Sequence, residues 1–276
     1  MTVANDTIGD ALVRATGRLT AAGCDTPRLD AEVLLAEVLD TDRAGLVTGA
    51  ARGLEAGEAE RFDAFVARRE GREPVAYILG RKPFRFLELH VDSRVLIPRP
   101  DTEVLVEAGL GLPRGSRVVD VGTGSGAVAL SLKHERPDLH VTATDIEAGA
   151  LAVARANARR LGLEVSFRQA DLLEGAGGPF DAVLANVPYV APEVHAELAP
   201  EIRKCEPRVA VVADEDGLAI VRRLVSQLGD TPFVALEVGL AQEDQVAELL
   251  RRAGYAHIET RRDLAGIERV VLARHT

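Results

Sequence analysis

The stretch "RVVDVGTGSGAVALSL", residues 117–132, contains the pattern that decides the fold. It opens with a short β-prone run, 117–121, which predicts a buried strand. The glycines Gly122, Gly124 and Gly126 follow, and a helix is predicted from Ala127. Glycines let the backbone approach a ligand closely, and a helix N-terminus favours an anionic group. A strand, a glycine-rich loop and a helix in this order are typical of nucleotide-binding α/β domains, although the same loop could merely pack a helix on a strand.

Strands and helices continue to alternate after this stretch. Such alternation predicts an α/β fold with a doubly wound, mostly parallel sheet of seven strands. The last two predicted strands are joined by a short turn, so we expect them to be antiparallel. After the strand 117–121, the predicted strands are 140–145, 164–171, 180–186, 233–238, 255–263 and 267–274, and the predicted helices are 148–161, 217–228 and 243–252.

The first 80 residues have a different, helical pattern. Thr7 and Thr26 are predicted N-caps of two helices, and Pro27 suits the first turn of the second. The predicted interior residues are Ile8, Ala11, Leu12, Ala15, Leu19, Leu29, Val33, Leu34, Phe62, Phe65 and Val66. Partial alternation over 83–97 predicts a β-hairpin, and a helix is predicted from about Pro100. We therefore expect an all-α domain at 1–80, a hairpin linker at 81–97 and a ligand-binding domain at 98–276.

Composition argues against several classes of protein. The 276 residues carry a formal net charge of −10, and no segment is strongly basic, so a surface for nucleic acid is not expected. No run of apolar residues is long enough to span a membrane, and the start of the chain does not resemble a signal peptide. Cys24 and Cys205 are far apart and form no CxxC motif, which favours a reducing cytoplasm. None of the six histidines lies in a motif, and we expect no metal site.

Asp145 ends the strand predicted after the glycine loop. A carboxylate at this position can accept hydrogen bonds from both hydroxyls of a ribose, and it can also cap the next helix. NAD would use the same features. However, the glycines follow the spacing GxGxG rather than GxGxxG, and no second glycine fingerprint follows. The pattern therefore favours a single nucleoside with a short charged tail, a description that S-adenosylmethionine fits.

Two further strand ends add candidate contacts. Asp171 closes the third strand and can accept from an adenine amino group, while the backbone of Leu172 can meet the ring; alone, Asp171 reads equally well as a surface acid. The fourth strand ends at Asn186. Since parallel strands end at one edge of an open α/β sheet, these side chains are expected around one crevice.

The segment Asn186-Val187-Pro188-Tyr189 ends a buried run on an amide, a stiff turn and an aromatic ring. The side-chain oxygen of Asn186 and the carbonyl of Val187 can both accept from an NH₂ group, and Tyr189 can pack against a planar one. An Asx-turn followed by a core tyrosine is an equally weighted reading of these four residues alone.

Taken together, these motifs resemble those of class I S-adenosylmethionine-dependent methyltransferases. More narrowly, the chain resembles the protein-(glutamine-N5) methyltransferases that modify peptide chain release factors. Most of the chain from about residue 74 matches in the family's order, and the helical first 80 residues match its substrate-recognition bundle in size and position. The matching stretches are "PVAYILGRKPFRFLELHV", "VLIPRPDTE", "VVDVGTGSGAVALSL", "ATDI", "NVPYV", "CEPRVAV" and "RDLAGIERVVLAR".

The resemblance implies roles for particular residues. Asn186 and Tyr189 would be catalytic, and Asn186, Val187, Pro188 and Tyr189 would bind the glutamine of a Gly-Gly-Gln motif. Arg99, Pro100 and Thr102 are expected near the cofactor. The residues expected to bind S-adenosylmethionine are Gly122, Thr123, Gly124, Ser125, Gly126, Asp145, Asp171, Leu172 and Asn186.

One departure from the family pattern concerns Val187, where the family has the first proline of Asn-Pro-Pro-Tyr. The backbone carbonyl is retained, so we expect reduced rigidity at most. Cys205 stands where the family usually has an aromatic residue, which we interpret as a packing difference.

Three other functions fit parts of the pattern. An adenine-N6 nucleic-acid methyltransferase would present a similar planar NH₂ group to Asn186, but the acidic composition argues against it. A glutamine methyltransferase acting on a ribosomal protein is poorly separated by sequence. A non-catalytic nucleotide-binding module would not need the segment 186–189.

Overall fold

The computed structural model describes residues 6–214 and 216–275. These residues form two compact units, one up to Gly80 and the other from Arg81 onward. Within the described part of the first unit, the regular secondary structure is helical, as expected. Its helices are α1 (Ile8–Ala21), α2 (Pro27–Val38), α3 (Arg43–Thr48), α4 (Ala56–Glu70) and α5 (Val75–Leu79).

The start of α1 is fixed by a capping box. Thr7 accepts from the backbone N–H of Asp10 at 3.1 Å, and the Asp10 carboxylate accepts from the backbone N–H of Thr7. This exchange satisfies donors that the first helical turn cannot pair internally. The α1 residues predicted to face the interior are all buried.

The prediction that Leu29 faces the interior is wrong, because its side chain is exposed. The buried face of α2 is instead made by Asp30, Ala31, Leu34, Leu35, Ala36 and Val38. The helix turns Asp30 inward because this carboxylate pairs with the guanidinium of Arg69, with Nε and Oδ2 2.7 Å apart. Both side chains are more than nine-tenths buried. A buried ion pair thus sets the rotation of α2.

The second unit contains all the strands of the described chain. Its strands are β1 (Arg81–Phe84), β2 (Leu87–His90), β3 (Arg117–Val121), β4 (His140–Asp145), β5 (Ser166–Gln169), β6 (Ala182–Ala185), β7 (Phe233–Glu237), β8 (His257–Arg262) and β9 (Glu268–Arg274). Its α-helices are α6 (Glu103–Leu110), α7 (Ala127–Glu135), α8 (Ala148–Leu161), α9 (Pro192–His195), α10 (Pro200–Cys205), α11 (Arg208–Val211), α12 (Ala219–Gln227) and α13 (Glu243–Arg252), and a 3₁₀ turn spans Pro100–Thr102.

Among the described residues, seven strands form one sheet in the order β5-β4-β3-β6-β7-β9-β8. The first five strands of this order are parallel, whereas β9 is antiparallel to both of its neighbours. The predicted doubly wound fold and its antiparallel last pair are confirmed. Parallel order brings the carboxyl ends of β3, β4, β6 and β7 to one edge, where such sheets bind ligands.

Both faces of the central strands are covered. Val118, Leu184 and Ala235 pack on one side with α6 and α7, while Val119, Val183 and Leu236 pack on the other with α12 and α13. Burial on both faces explains why these strands are nearly all apolar in sequence. A polar residue in them is therefore an exception that needs a physical reason.

The hairpin is shorter than predicted. It spans 81–90 rather than 83–97, and Arg85 and Phe86 form its turn. Arg85 joins this turn to α7 through Glu135, with Nε and Oε1 2.6 Å apart. Residues 91–99 are not in a strand, although Val95 and Ile97 are buried, and several residues of this segment line the cavity described below.

No helix in the part of the chain that the structure describes is long and apolar enough to cross a membrane.

Replacing Asp30 by alanine should lower the free energy of unfolding of the helical unit by about 3–5 kcal/mol, because it removes the carboxylate that pairs with the buried Arg69 guanidinium. Urea unfolding of the full chain, followed by far-UV circular dichroism, measures this change. The exposed pair between Glu248 and Arg252 is the control, since Glu248→Ala should change stability by less than about 1 kcal/mol. Equal effects of the two substitutions would contradict the role given to burial.

Candidate active site

A cavity of about 180 Å³ lies at the carboxyl edge of the parallel strands. Residues from the ends of β3, β4, β5 and β6 reach it, as strand order requires. The sequence-predicted residues that line it are Gly122, Thr123, Gly124, Ser125, Asp145, Asp171, Leu172, Asn186, Val187 and Pro188. Arg99 and Thr102 also line it. Gly126 and Tyr189 are not part of its lining.

The glycine loop between β3 and α7 depends on positive φ angles. Gly122 has φ +73°, and a Cβ there would come 3.3 Å from the backbone oxygen of Asn186. Gly126 has φ +89°, and a Cβ there would lie 2.8 Å from the side chain of Leu130. Both positions exclude larger residues by conformation and by contact. At Gly124, by contrast, a Cβ would meet no atom within 4 Å, so this glycine leaves the cavity wall open to a ligand.

Asp120 organises the same loop from inside the sheet. Its Oδ2 accepts from the Thr123 hydroxyl at 2.6 Å and from the backbone N–H of Ala129 at 3.1 Å. Complete burial raises the pKa of Asp120 to about 7, although both hydrogen bonds oppose the shift and the nearby charge of Asp145 adds to it. A costly buried carboxyl thus fixes the start of α7.

Asn157 holds the loop from the opposite side. Its side-chain amide donates to the carbonyls of Ser125 and His90, and its oxygen accepts from the His90 backbone N–H. Asn157 is completely buried on α8. The sequence analysis missed this residue, because a lone polar side chain in an alanine-rich helix carries no motif.

The carboxylate of Asp145 faces the cavity from the end of β4. Its Oδ2 accepts from the backbone N–H of Gly124, and its Oδ1 accepts from that of Glu147, both at 2.9 Å. Burial raises its pKa above the ordinary value, and these backbone hydrogen bonds oppose the shift. A carboxylate oxygen has more than one lone pair. Asp145 can therefore stay fixed by the loop and still accept from two ligand hydroxyls.

Asp171 and Leu172 follow β5 at the cavity wall. Asp171 makes an ion pair with Arg223 of α12, with Oδ2 and the guanidinium 2.6 Å apart. Leu172 has φ +58°, which is uncommon for a residue with a side chain. Its carbonyl accepts from the buried hydroxyl of Thr144. This bond ties the Leu172 backbone to β4 at the point where it borders the cavity.

Asn186 and Val187 present two hydrogen-bond acceptors. The Asn186 Nδ2 donates to the Thr102 hydroxyl at 3.2 Å. No described residue donates a hydrogen bond to the Asn186 Oδ1 or to the Val187 carbonyl. Both residues line the cavity, and the Val187 side chain is buried. Oxygens that lack a partner inside the protein are available to donors of a ligand.

Tyr189 and Glu237 are in contact with each other but do not line the cavity. The Tyr189 hydroxyl donates to Glu237 Oε1 at 3.4 Å, and Gln242 donates to the Tyr189 carbonyl at 3.0 Å. Burial raises the pKa of the Tyr189 phenol well above its ordinary value. Glu237, which ends β7, was missed in the sequence. The signal that could have found it is the one used for Asp145, namely an acid that closes an apolar strand.

Arg99 reaches the cavity from the segment before the 3₁₀ turn. Its guanidinium pairs with the carboxylate of Glu206, whose side chain is buried. Burial raises the pKa of Glu206, and Arg99 opposes that shift. Pro100, which was expected near the cofactor, starts the 3₁₀ turn and is not among the cavity's lining residues.

The site suits the charged, flat and hydroxylated parts of S-adenosylmethionine. Gly124 leaves an open wall, Asp145 offers acceptors for ribose hydroxyls, and Asp171 and Leu172 border a second end of the cavity. Sheet order, glycine loop and acidic strand end together match the class I methyltransferase fold.

Solved structures agree with this fold. The hMettl16 catalytic domain in complex with a MAT2A 3′UTR hairpin aligns with a TM-score of 0.58 and 18% identity, covering 77% of this chain and 82% of that chain. A methyltransferase from Pyrococcus furiosus aligns with a TM-score of 0.53 and 17% identity, covering 77% and 96%. At these identities the likeness shows the fold alone.

Sequence relatives identify the family. The model of the PrmC N-terminal domain matches residues 10–80, and that of the methyltransferase small domain matches residues 99–205. A release factor glutamine methyltransferase of Rhodospirillum rubrum is 40% identical, covering 97% of this chain and 85% of the relative. One of Koribacter versatilis is 41% identical, covering 97% and 98%. The chain belongs to the release factor glutamine methyltransferase family.

Substitution of Asp120 by asparagine should flatten the pH dependence of stability. The unfolded carboxyl titrates near 3.8 and the folded one near 7, so the folded state binds more protons between these values. Stability is therefore lost as pH rises through this window, by up to about 1.4 kcal/mol per pH unit for one group. Urea midpoints measured from pH 4 to 8 test this. An unchanged slope in the variant would show that Asp120 is not the group responsible.

Proposed function

We propose that this protein transfers a methyl group from S-adenosylmethionine to the side-chain amide nitrogen of the glutamine in the Gly-Gly-Gln motif of class I peptide chain release factors. The observation that carries the proposal is the pair of acceptors at the end of β6, the Asn186 Oδ1 and the Val187 carbonyl, which no described residue uses. A primary amide has two N–H donors on one nitrogen, and two acceptors are what this group requires. The family membership of the chain supports the same substrate.

The cofactor would be held by the carboxyl edge of the sheet. Asp145 would accept from the ribose hydroxyls, Asp171 from the adenine amino group, and the Leu172 backbone would border the ring. The loop 122–126 would give the charged tail a close approach to the backbone. S-adenosylmethionine, when bound, supplies a methyl group activated on a positively charged sulfur.

The residues at 186–189 would prepare the amide. Its nitrogen is a weak nucleophile because the lone pair is delocalised into the carbonyl. By accepting both N–H bonds, the Asn186 Oδ1 and the Val187 carbonyl would fix the nitrogen and stabilise the positive charge that develops on it. Orientation of two bound reactants can contribute up to about 7–11 kcal/mol. The proton would then leave the methylated nitrogen to water.

Tyr189 would hold the plane of the substrate amide by packing rather than by proton transfer. Its hydroxyl is turned back to Glu237, so the phenol is not offered as an acid or a base. The raised pKa of the phenol supports this reading, because the phenol then stays protonated near pH 7 and does not serve as a base.

We place the protein in the cytoplasm, which is consistent with two cysteines that are not joined by a disulfide.

Mass spectrometry tests the function directly. The purified protein is incubated with S-adenosylmethionine and a release factor, and a mass gain of one methyl group is expected on the glutamine of Gly-Gly-Gln. A release factor with Gln→Glu at that position is the control and should gain none. Parallel reactions with a ribosomal protein, DNA and RNA separate the other substrates. Methylation of adenine, or of a ribosomal protein in preference to the release factor, would overturn the proposal.

Substitution of Asn186 by alanine should reduce kcat by about 100-fold or more, the size found when one preorganised hydrogen-bonding group is removed from an active site. The dissociation constant for S-adenosylmethionine, measured by calorimetry, should rise far less than kcat falls, because Asn186 is one of several residues expected at the cofactor. Asp145→Ala is the matched variant, because it should instead weaken cofactor binding. Normal turnover of Asn186→Ala would refute the assignment of this residue.

A further inference from the structure

Gln242, at the start of α13, has a side-chain amide that no proposed catalytic step uses. Its Nε2 donates to the Tyr189 carbonyl at 3.0 Å, and its Oε1 accepts from the backbone N–H of Gly239 at 2.9 Å. A backbone N–H can only donate, so Gly239 fixes which end of the Gln242 amide is the oxygen. The NH₂ group is therefore directed to Tyr189, 53 residues away in the chain.

Two glycines leave the space that this amide bridge occupies. A Cβ at Gly217 would lie 2.5 Å from the Tyr189 carbonyl oxygen and 2.8 Å from the Gln242 Nε2. A Cβ at Gly239 would lie 2.9 Å from the Gln242 Oε1 and 3.1 Å from Cδ2 of the Tyr189 ring. Carbon atoms in contact normally lie about 3.5–4 Å apart, so a larger residue at either position would push on the bridge. The bridge is therefore part of the packing of both loops.

Tyr189 is held at both of its ends. Its hydroxyl donates to Glu237 Oε1 at 3.4 Å, and its carbonyl accepts from Gln242. The backbone N–H of the next residue, Val190, donates to the carbonyl of Val211 at 3.2 Å. Both polar groups of the peptide that joins Tyr189 to Val190 are therefore bonded, one of them to Gln242, and this sets the plane of that peptide.

We infer that Gln242 is a positioning residue that fixes the backbone of Tyr189 and thereby the placement of the Tyr189 ring against the substrate amide. The bond to Glu237 restrains only the tip of the tyrosine side chain, whereas the bond from Gln242 restrains the peptide next to the Cα from which that side chain extends. Gln242 does not line the cavity, so its effect requires no contact with the cofactor. The inference rests on the proposed function, because that function gives Tyr189 its role at the substrate amide.

Gln242→Glu tests the inference, because an ionised glutamate has the shape of glutamine but no donor. At pH 8 we expect kcat for the release factor to fall about tenfold, the effect of one lost hydrogen bond of ordinary strength, while KM for the release factor and the dissociation constant for S-adenosylmethionine stay within about twofold. Protonation restores a donor, so the ratio of variant to native kcat should rise as the pH falls from 8 to 5. Native kcat at pH 8, or an equal loss of cofactor binding, would overturn the inference.

Gln242→Met and Tyr255→Phe are the matched variants. Methionine has a similar length but no amide, so kcat should fall as in the glutamate variant, and its ratio to native kcat should not change with pH. Tyr255 donates to the carbonyl of Thr231 at 2.9 Å and does not line the cavity, so Tyr255→Phe should lower stability, measured by urea unfolding, and leave kcat unchanged. An equal loss of kcat in Tyr255→Phe, or a constant ratio in Gln242→Glu, would overturn the inference.

The ring of Tyr189 provides a readout that does not depend on activity. The chain has three tyrosines, so protein labelled with ¹³C in the tyrosine rings gives few signals, and those of Tyr189 are assigned by their loss in Tyr189→Phe. These signals should shift in Gln242→Met and, at pH 8, in Gln242→Glu, and they should stay at their native positions in Tyr255→Phe. Unchanged signals in both Gln242 variants would refute the positioning. If the native protein fails to methylate the release factor while these shifts occur, the proposed substrate is wrong but the positioning of Tyr189 by Gln242 stands.

Discussion

Parallel pairing of β3, β4, β6 and β7 is the constraint on which the rest of the second unit depends. It brings the carboxyl ends of four strands to one edge, and each of these ends carries or precedes a polar residue: the glycine loop after Val121, Asp145, Asn186 and Glu237. Apolar packing on both faces of the sheet leaves this edge as the place where polar groups can meet a ligand. The cavity is therefore a consequence of strand order.

Three buried carboxyl groups lie near this edge, and each forms a hydrogen bond or ion pair with a nearby segment of the chain. Asp120 binds Thr123 and the start of α7, while Glu206 binds Arg99. Glu237 accepts a hydrogen bond from the Tyr189 hydroxyl. Burial raises the pKa of all three carboxyls, so each costs stability at neutral pH. Such a cost is consistent with groups retained for the geometry of a site rather than for the stability of the fold.

Residues at the cavity wall were largely predictable, because each strand end is visible where an apolar run meets a polar residue. Asp145, Asp171 and Asn186 follow this rule, and the structure brings all three to one cavity. The supporting residues were not predictable by the same means. Asn157 lies inside a helix, where no periodic pattern marks a polar side chain as inward-facing, and Thr102 was expected near the cofactor only from the family resemblance.

The sequence by itself determined the helical first unit, the alternating second unit and the strand ends that border the site, because side-chain periodicity and turn residues are local properties. Only the tertiary structure decided which of these groups meet. Asp30 of α2 pairs with Arg69, which lies 39 residues away, and the Asn186 amide donates to Thr102, 84 residues away. Contacts over such distances follow from helix packing and from the order of strands in the sheet, which no local pattern encodes.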